Sequence, residues 1–310
     1  MNPIKIGTRG SQLALWQAHE IEKKLKMAGI SSEIVIIDTK GDKILNTAIA
    51  KIGSKGVFTE ELEEQLRKGT IDVAVHSAKD MQSDVADDLE ILAFTEREQV
   101  HDVIVSYQKD FQLNTKNKII LGTSSTRRVA MMKSLYPSIR TIDVRGNLQT
   151  RMRKLSEGLC DALVLAYAGV FRMNYAQYIV KNLSVDEFTP AVGQGSIAIE
   201  IAKKLDTDIA TQIKLATNHT ETEYRVRAER SFLKTLQGGC SIPTFALAQV
   251  QGSSMSIKGG LISLDGKTRI EATANGTIAD AEKLGKEIAE KVLAEGGEAI
   301  LADIRRVLEK

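Results

Sequence analysis

The stretch Ile4-Lys5-Ile6-Gly7-Thr8-Arg9-Gly10-Ser11 decides the fold. Ile4 to Gly7 is a short apolar strand, and Thr8-Arg9-Gly10-Ser11 turns it directly into a helix. Leu13, Trp16, Ile21 and Leu25 recur at helical spacing, with Ser11 placed as N-cap and Gly29 as stop. Ser32 to Asp38 follows as a buried strand, which completes a β-α-β unit and predicts a parallel sheet. A helix that starts where a strand ends aims its free N–H groups at one spot, which suits an anion.

The same pattern recurs downstream. Thr59 to Lys68 is an amphipathic helix ending at Gly69, and Asp72 to His76 is a buried strand that runs into Ser77-Ala78-Lys79-Asp80. Open α/β sheets put ligands at the carboxyl ends of such strands, so Asp80 is a candidate acid or base. Ile91 to Thr95 and Val103 to Ser106 read as further strands. Ile119 to Gly122 opens a second β-α series through Thr123-Ser124-Ser125-Thr126-Arg127-Arg128 and a helix to Leu135. Thr141 to Val144 leads into Arg145-Gly146-Asn147 and a helix bearing Arg151 and Arg153, and Ala162 to Leu165 leads towards Arg172. One arginine is usually a solvated charge. A set at repeated strand-to-helix junctions predicts an anion-binding cleft, because guanidinium groups grip carboxylates and phosphates in a bidentate way. Asn46 to Val57, with Lys51 and Lys55, reads as a cationic loop able to close over a site.

Pro190 to Gly195 is a turn-rich crossing, and the strand Ser196 to Ile201 is expected to return the chain to the first domain. A helix from Glu221 to Gln237 then reaches Gly238-Gly239-Cys240-Ser241-Ile242-Pro243. Two glycines free the backbone there and Pro243 stiffens the exit. A free cysteine is most often a small buried hydrophobe. Set beside Asp80 and the arginines, Cys240 reads as an exposed nucleophile or attachment point. Cys160, next to a buried strand, reads as structural. Thr244 to Val250, Ser256 to Ile262 and Thr268 to Ala274 form an antiparallel meander, followed by two helices with Leu284, Ile288, Ile300 and Ile304 facing the core. That order predicts a small α+β unit.

Composition narrows the classes. The 310 residues accommodate roughly two or three domains. A net charge of +2 gives no support for nucleic acid as a general partner. Two cysteines are too few for a disulfide framework, and the histidines lack zinc-ligand spacing, so no metal is expected. Residues 1 to 7 lack a secretory pattern and no apolar run approaches the roughly 20 residues of a membrane span, so the expected location is the cytoplasm.

Taken in series, several stretches resemble the porphobilinogen deaminase (hydroxymethylbilane synthase) family. They are Gly7 to Gln17, Val75-His76-Ser77-Ala78-Lys79-Asp80, Gly122 to Arg128, Arg145-Gly146-Asn147, Pro190 to Gly195, Asn218-His219 with Ala228-Glu229-Arg230, and Gly238-Gly239-Cys240. The resemblance covers nearly the whole chain in the family's order. It implies two doubly wound α/β domains like those of periplasmic binding proteins, 1–97 with 196–216 and 101–190, plus a small α+β C-terminal domain, 218–310, carrying the cofactor cysteine. It also implies a transferase that joins four porphobilinogen molecules head to tail into hydroxymethylbilane with release of ammonia. A dipyrromethane cofactor is implied as a thioether on Cys240, held by Lys79, Ser125, Arg127, Arg128, Arg145 and Gly146. Substrate carboxylates fall to Arg9, Ser11, Arg145, Arg151, Arg172, Gln194 and Lys55, and Asp80 takes the catalytic role. The partners implied are porphobilinogen and the growing pyrrole chain, with no nucleic acid or membrane, on a monomer.

Two departures stand out. Met81-Gln82 follows Asp80 where the family commonly has an apolar residue and proline, which predicts a less rigid loop. Glu60 stands where many members have lysine, and no substrate role passes to it. A binding protein and a thiol hydrolase are the competing classes. The first is weakened by the Gly-Gly-Cys loop and the N-terminal pattern, the second because no base is assigned to Cys240, with His76 and His219 candidates only in principle.

Overall fold

The computed structural model describes residues 2–39, 59–113, 118–239 and 241–308. Strand β1 (Ile4–Thr8) passes into α1 (Gln12–Met27), whose first turn is capped by the Ser11 hydroxyl accepting from the Ala14 N–H. Gly29 ends that helix with φ +76°, a conformation that costs glycine little. Strand β2 (Ser32–Ile36) pairs in parallel with β1. It is only partly buried, contrary to the sequence expectation, because it forms the sheet edge and Ile36 is 57% exposed.

Helix α2 (Glu60–Lys68) stops at the left-handed Gly69 and feeds β3 (Val73–Ser77), then β4 (Leu89–Phe94). The second series runs β5 (Asp102–Val105), β6 (Ile120–Gly122), α3 (Thr126–Leu135), β7 (Arg140–Ile142), α4 (Leu148–Ser156), β8 (Ala162–Ala166), α5 (Tyr167–Arg172) and β9 (Ile179–Asn182). After them come β10 (Ile197–Ala202), α6 (Thr207–Thr217) and α7 (Thr220–Thr235). The meander β11 (Thr244–Gln251), β12 (Ser254–Ile262) and β13 (Arg269–Thr277) precedes α8 (Ala281–Val292) and α9 (Glu298–Leu308).

The fold is α/β with a small C-terminal α+β unit. Its two large sheets have the orders β2-β1-β3-β10-β4 and β7-β6-β8-β5-β9. In each, four strands share one direction and one is antiparallel to both its neighbours: β10 between β3 and β4, and β5 between β8 and β9. The sheets are therefore mixed rather than parallel throughout, because β5 and β10 each follow a crossing segment and enter from the opposite direction. The innermost strands β3, β8 and β10 are almost wholly buried, which is why they read as unbroken apolar runs.

The third sheet, β11-β12-β13, is covered by α7 and α8, with Phe232, Leu284, Ile288, Ile300 and Ile304 in its core. Gly285 lets these helices cross closely: a Cβ there would lie 2.0 Å from the Ala228 carbonyl oxygen. The buried Glu229 carboxylate ties this unit to the crossings, accepting from Arg97 Nη1 (2.6 Å) and Nη2 (3.0 Å) and from the Gly193 and Ala248 N–H groups (2.8 and 2.9 Å). With four donors around it, the charge is compensated despite being fully buried.

Candidate active site

At its carboxyl end β3 tightens into one 3-10 turn, Ala78–Asp80. This places Asp80 beside the start of α1, in a cleft of about 70 Å³ whose lining includes Arg9, Ser11, Gln17, His76, Ser77 and Asp80. Gln17 Nε2 donates to the Ser77 hydroxyl (2.9 Å), fixing α1 against the turn. His76 forms the buried floor, its Nε2 3.1 Å from Glu200 Oε2. A larger concavity of about 460 Å³, lined by Arg67, Asp87, Asp88, Lys203 and Lys204, lies at the other end of that sheet and contains none of the sequence-derived site residues.

The second sheet brings the arginines. The Ser125 hydroxyl caps α3 by accepting from the Arg128 N–H (3.4 Å). The side chains of Arg127 and Arg128 converge on the fully buried Asp102: Arg127 Nη2 reaches Oδ2 and Arg128 Nη2 reaches Oδ1, both at 2.7 Å. Burial opposes ionisation of Asp102, but the two guanidiniums overcome it and hold the carboxyl down at about 2. Arg127 also donates to the Thr189 carbonyl (2.9 Å), and Gln194 Nε2 donates to Val100 O (2.7 Å) and Asp102 Oδ1 (3.0 Å). The sequence expectation gave Arg127 and Gln194 to a ligand. In the structure both are buried and bonded to the protein's own groups, as is Arg128, whose Nε, Nη1 and Nη2 all donate within the protein, while Arg127 Nε has no hydrogen-bond partner among the described residues.

Around Asp80 the positive charge is in surplus. Burial, then Arg128, push Lys79 down to about 8 against the pull of Asp80. By area Lys79 is partly exposed, but its ammonium sits in a cation-rich surround. Burial, then Arg128, likewise lower Arg151 to about 10, opposed by Asp80 and Asp143. Arg145 is 3.8 Å from Asp143, yet its Nη1 is buried with no hydrogen-bond partner among the described residues. Gly146, at φ +114°, offers its carbonyl to Arg151 Nε (2.8 Å). A dense group of cations with an orphaned guanidinium nitrogen fits a ligand bearing several carboxylates.

Arg172 stands apart, donating to Gly195 O (2.7 Å) over the Trp16 ring (5.1 Å). Lys55 and Cys240 lie outside the described residues. Next to Cys240, the left-handed residue is Gln237 (φ 49°) rather than either glycine, and Gly238 is required for space: a Cβ would lie 2.7 Å from Leu233 Cδ1. Ile242 N donates to Gly239 O (3.0 Å) across the cysteine. Cys160 is buried, and burial pushes its thiol up to about 11, as befits an inert structural cysteine. The two histidines weighed as bases have other partners: His219 caps α7 and His76 pairs with Glu200.

The family model described as "Porphobilinogen deaminase, dipyromethane cofactor binding domain" matches residues 4–211, and that described as "Porphobilinogen deaminase, C-terminal domain" matches residues 223–294. The chain belongs to the porphobilinogen deaminase family. The porphobilinogen deaminase of Cytophaga hutchinsonii is 52% identical over 99% of this chain and 98% of its own, and that of Desulfosudis oleivorans is 51% identical over 98% of each. Among solved structures, the methionine-binding protein MetQ superposes with a TM-score of 0.45 at 13% identity, over 69% of this chain and 89% of that one.

Within the family frame, the departures after Asp80 acquire a structure. Met81 is buried against Ala78, Phe94, Ala198 and Val226. Gln82 Nε2 approaches Thr59 Oγ1 and Glu63 Oε1, each at 3.4 Å. The loop is thus anchored on both sides where the sequence predicted slackness. Glu60 opens α2.

Lys79 gives a test of the crowding. Its proton is lost at about 8 in the folded chain and near the ordinary lysine value of 10.5 in the unfolded one, so between these values the unfolded state binds more protons. Its contribution to stability therefore rises with pH across that window. Urea unfolding from pH 7 to 10 should show this rise in the cofactor-free parent, reduced in Lys79→Met; identical slopes would show that Lys79 is not so depressed.

Proposed function

We propose that this chain is a hydroxymethylbilane synthase, which joins four porphobilinogen units with loss of ammonia at each joining. The supporting observation is the cluster of cations, Lys79, Arg128, Arg145 and Arg151, which outnumbers the carboxylates of Asp80, Asp102 and Asp143 among them, in a member of this family. Porphobilinogen carries acetate and propionate groups, which match these cations. Departure of ammonia leaves a cationic, electrophilic pyrrole, which matches Asp80.

Dipyrromethane, carried as a thioether on Cys240, would be held by Lys79, Ser125, Arg128, Arg145 and Gly146. When bound it supplies the terminal pyrrole carbon to which the first unit is added. Arg9, Ser11, Arg145, Arg151, Arg172 and Lys55 orient the substrate carboxylates. Arg127 and Gln194 act one step back, by fixing Asp102 and through it Arg128. Asp80 stabilises positive charge on pyrrole nitrogen and holds the proton being moved. Opposite charges thus handle opposite parts of one ligand.

We assign 1–97 with 196–216 to the first domain, 101–190 to the second and 218–310 to the third. The chain acts as a cytoplasmic monomer with no nucleic-acid or membrane partner. Among the described residues, no helix is long and apolar enough to cross a membrane. Intact-mass measurement of purified protein should exceed the sequence mass by two linked pyrrole units, with the increment on the Cys240 peptide. An unmodified Cys240 in an active preparation would overturn this assignment.

A further inference from the structure

One face of α7 runs along the segment that follows Asp80. Val226, Arg230 and Lys234, each four residues apart, stand on that face. Val226 shares a buried apolar cluster with Met81. Arg230 Nη2 donates to the Gln82 carbonyl at 2.7 Å, with the Ser83 carbonyl at 3.5 Å. Lys234 Nζ meets Asp84 Oδ1 at 2.8 Å in an exposed pair of little weight. Gln82 has no ring to fix its φ, so contacts from outside must hold this backbone.

Arg230 is the costly member of the clamp. Its Nη1 is enclosed with no partner among the described residues. Burial lowers it to about 10, with Glu200 and Asp84 pulling the other way. Glu200 in turn pairs with His76, the floor of the cleft that Asp80 lines. The guanidinium is therefore hydrogen-bonded to the segment after Asp80 and stabilised by the charge of the glutamate that supports the cleft floor. The helix bearing Arg230 ends at Thr235, five residues before Cys240.

We propose that Arg230 is a positioning residue: by holding the Gln82 carbonyl it sets the place of Asp80 in the cleft it shares with Arg9 and Ser11. This rests on the role given to Asp80 above. One helix then holds, along its side, the segment that carries the chain away from Asp80.

The test compares Arg230→Met and Arg230→Lys as holoenzymes, with rates counted per molecule carrying the Cys240 adduct by intact mass. A displacement of about 1 Å at a reacting group can cost up to about 100-fold, so Arg230→Met should lose roughly 10- to 100-fold in kcat with KM within about twofold. Arg230→Lys, which keeps the charge and one donor, should lose about threefold. A purely structural role would lower the yield of loaded protein but leave kcat per loaded molecule unchanged, and that result for Arg230→Met would overturn the proposal. If Arg230→Met does not fold, Arg230→Lys decides: a loss of about threefold with KM unchanged supports the proposal, and an unchanged kcat overturns it. Asp80→Asn is measured in parallel. Normal turnover there would fail the reading of Asp80, whereas an inactive Asp80→Asn beside a fully active Arg230→Met would fail this inference alone.

Discussion

Asp80→Asn should fold as the parent does and lose turnover by about 10²- to 10⁴-fold, the usual worth of a positioned acid-base group. The substitution keeps the shape of the side chain and removes only its charge and its proton. Asp80 lies on a short turn after β3 and is partly exposed, so no core packing is lost. What is lost is the negative charge that opposes the depression of Lys79 and Arg151. The cleft would then repel the cationic pyrrole left when ammonia departs. Binding of the substrate carboxylates should survive, because the cations remain. The expected signature is a collapsed kcat with a nearly unchanged KM, measured as ammonia released per molecule carrying the cofactor mass. Turnover above a tenth of the parent's would remove Asp80 from this role.

Asp102→Asn should give the largest loss of stability. Asp102 is fully buried and faces two guanidiniums that are themselves 4% and 6% exposed. Removing one partner of such a cluster strands the others, at a cost of about 3–5 kcal/mol. Asparagine keeps the size and some hydrogen bonds, so the cost reports on charge. The pH dependence gives a second readout. The folded carboxyl titrates at about 2 against 3.8 in the unfolded chain, so its stabilisation is complete above the unfolded value and is lost as pH falls towards the folded one. Acid unfolding of the parent should include this step and that of Asp102→Asn should lack it. A cost below about 1 kcal/mol in urea unfolding at pH 7 would contradict the charge account.

Local signals were legible in the sequence. The strand-to-helix junction at Ser11, the cap at Ser125, the glycine stops at Gly29 and Gly69 and the final meander depend on neighbours a few residues away. The gathering of Asp80 with Arg9 and Ser11 followed from the rule about strand ends. The jobs of Asp102, Glu200 and Glu229 were not legible, since their partners lie 25, 124 and 132 residues away. The signal was nonetheless present, as single acids inside apolar runs at Asp102-Val103-Ile104-Val105 and Ile197-Ala198-Ile199-Glu200-Ile201. A carboxylate in such a run must have a buried partner. The inward use of Arg127 and Gln194 follows from Asp102 and was hidden with it. The edge position of β2 and the antiparallel fourth strands depend on strand order, which hydrophobic pattern does not encode.

The placement of β10 between β3 and β4 bears on how the chain is made. As it leaves the ribosome, β4 ends at Phe94 before its partner exists, since its one neighbour in the sheet among the described residues begins at Ile197. The sheet that contains β5 to β9 has all its strands translated by Asn182. The half encoded second is therefore completed first, and the N-terminal sheet waits, with one edge unfinished, until the chain has passed through its neighbour and come back.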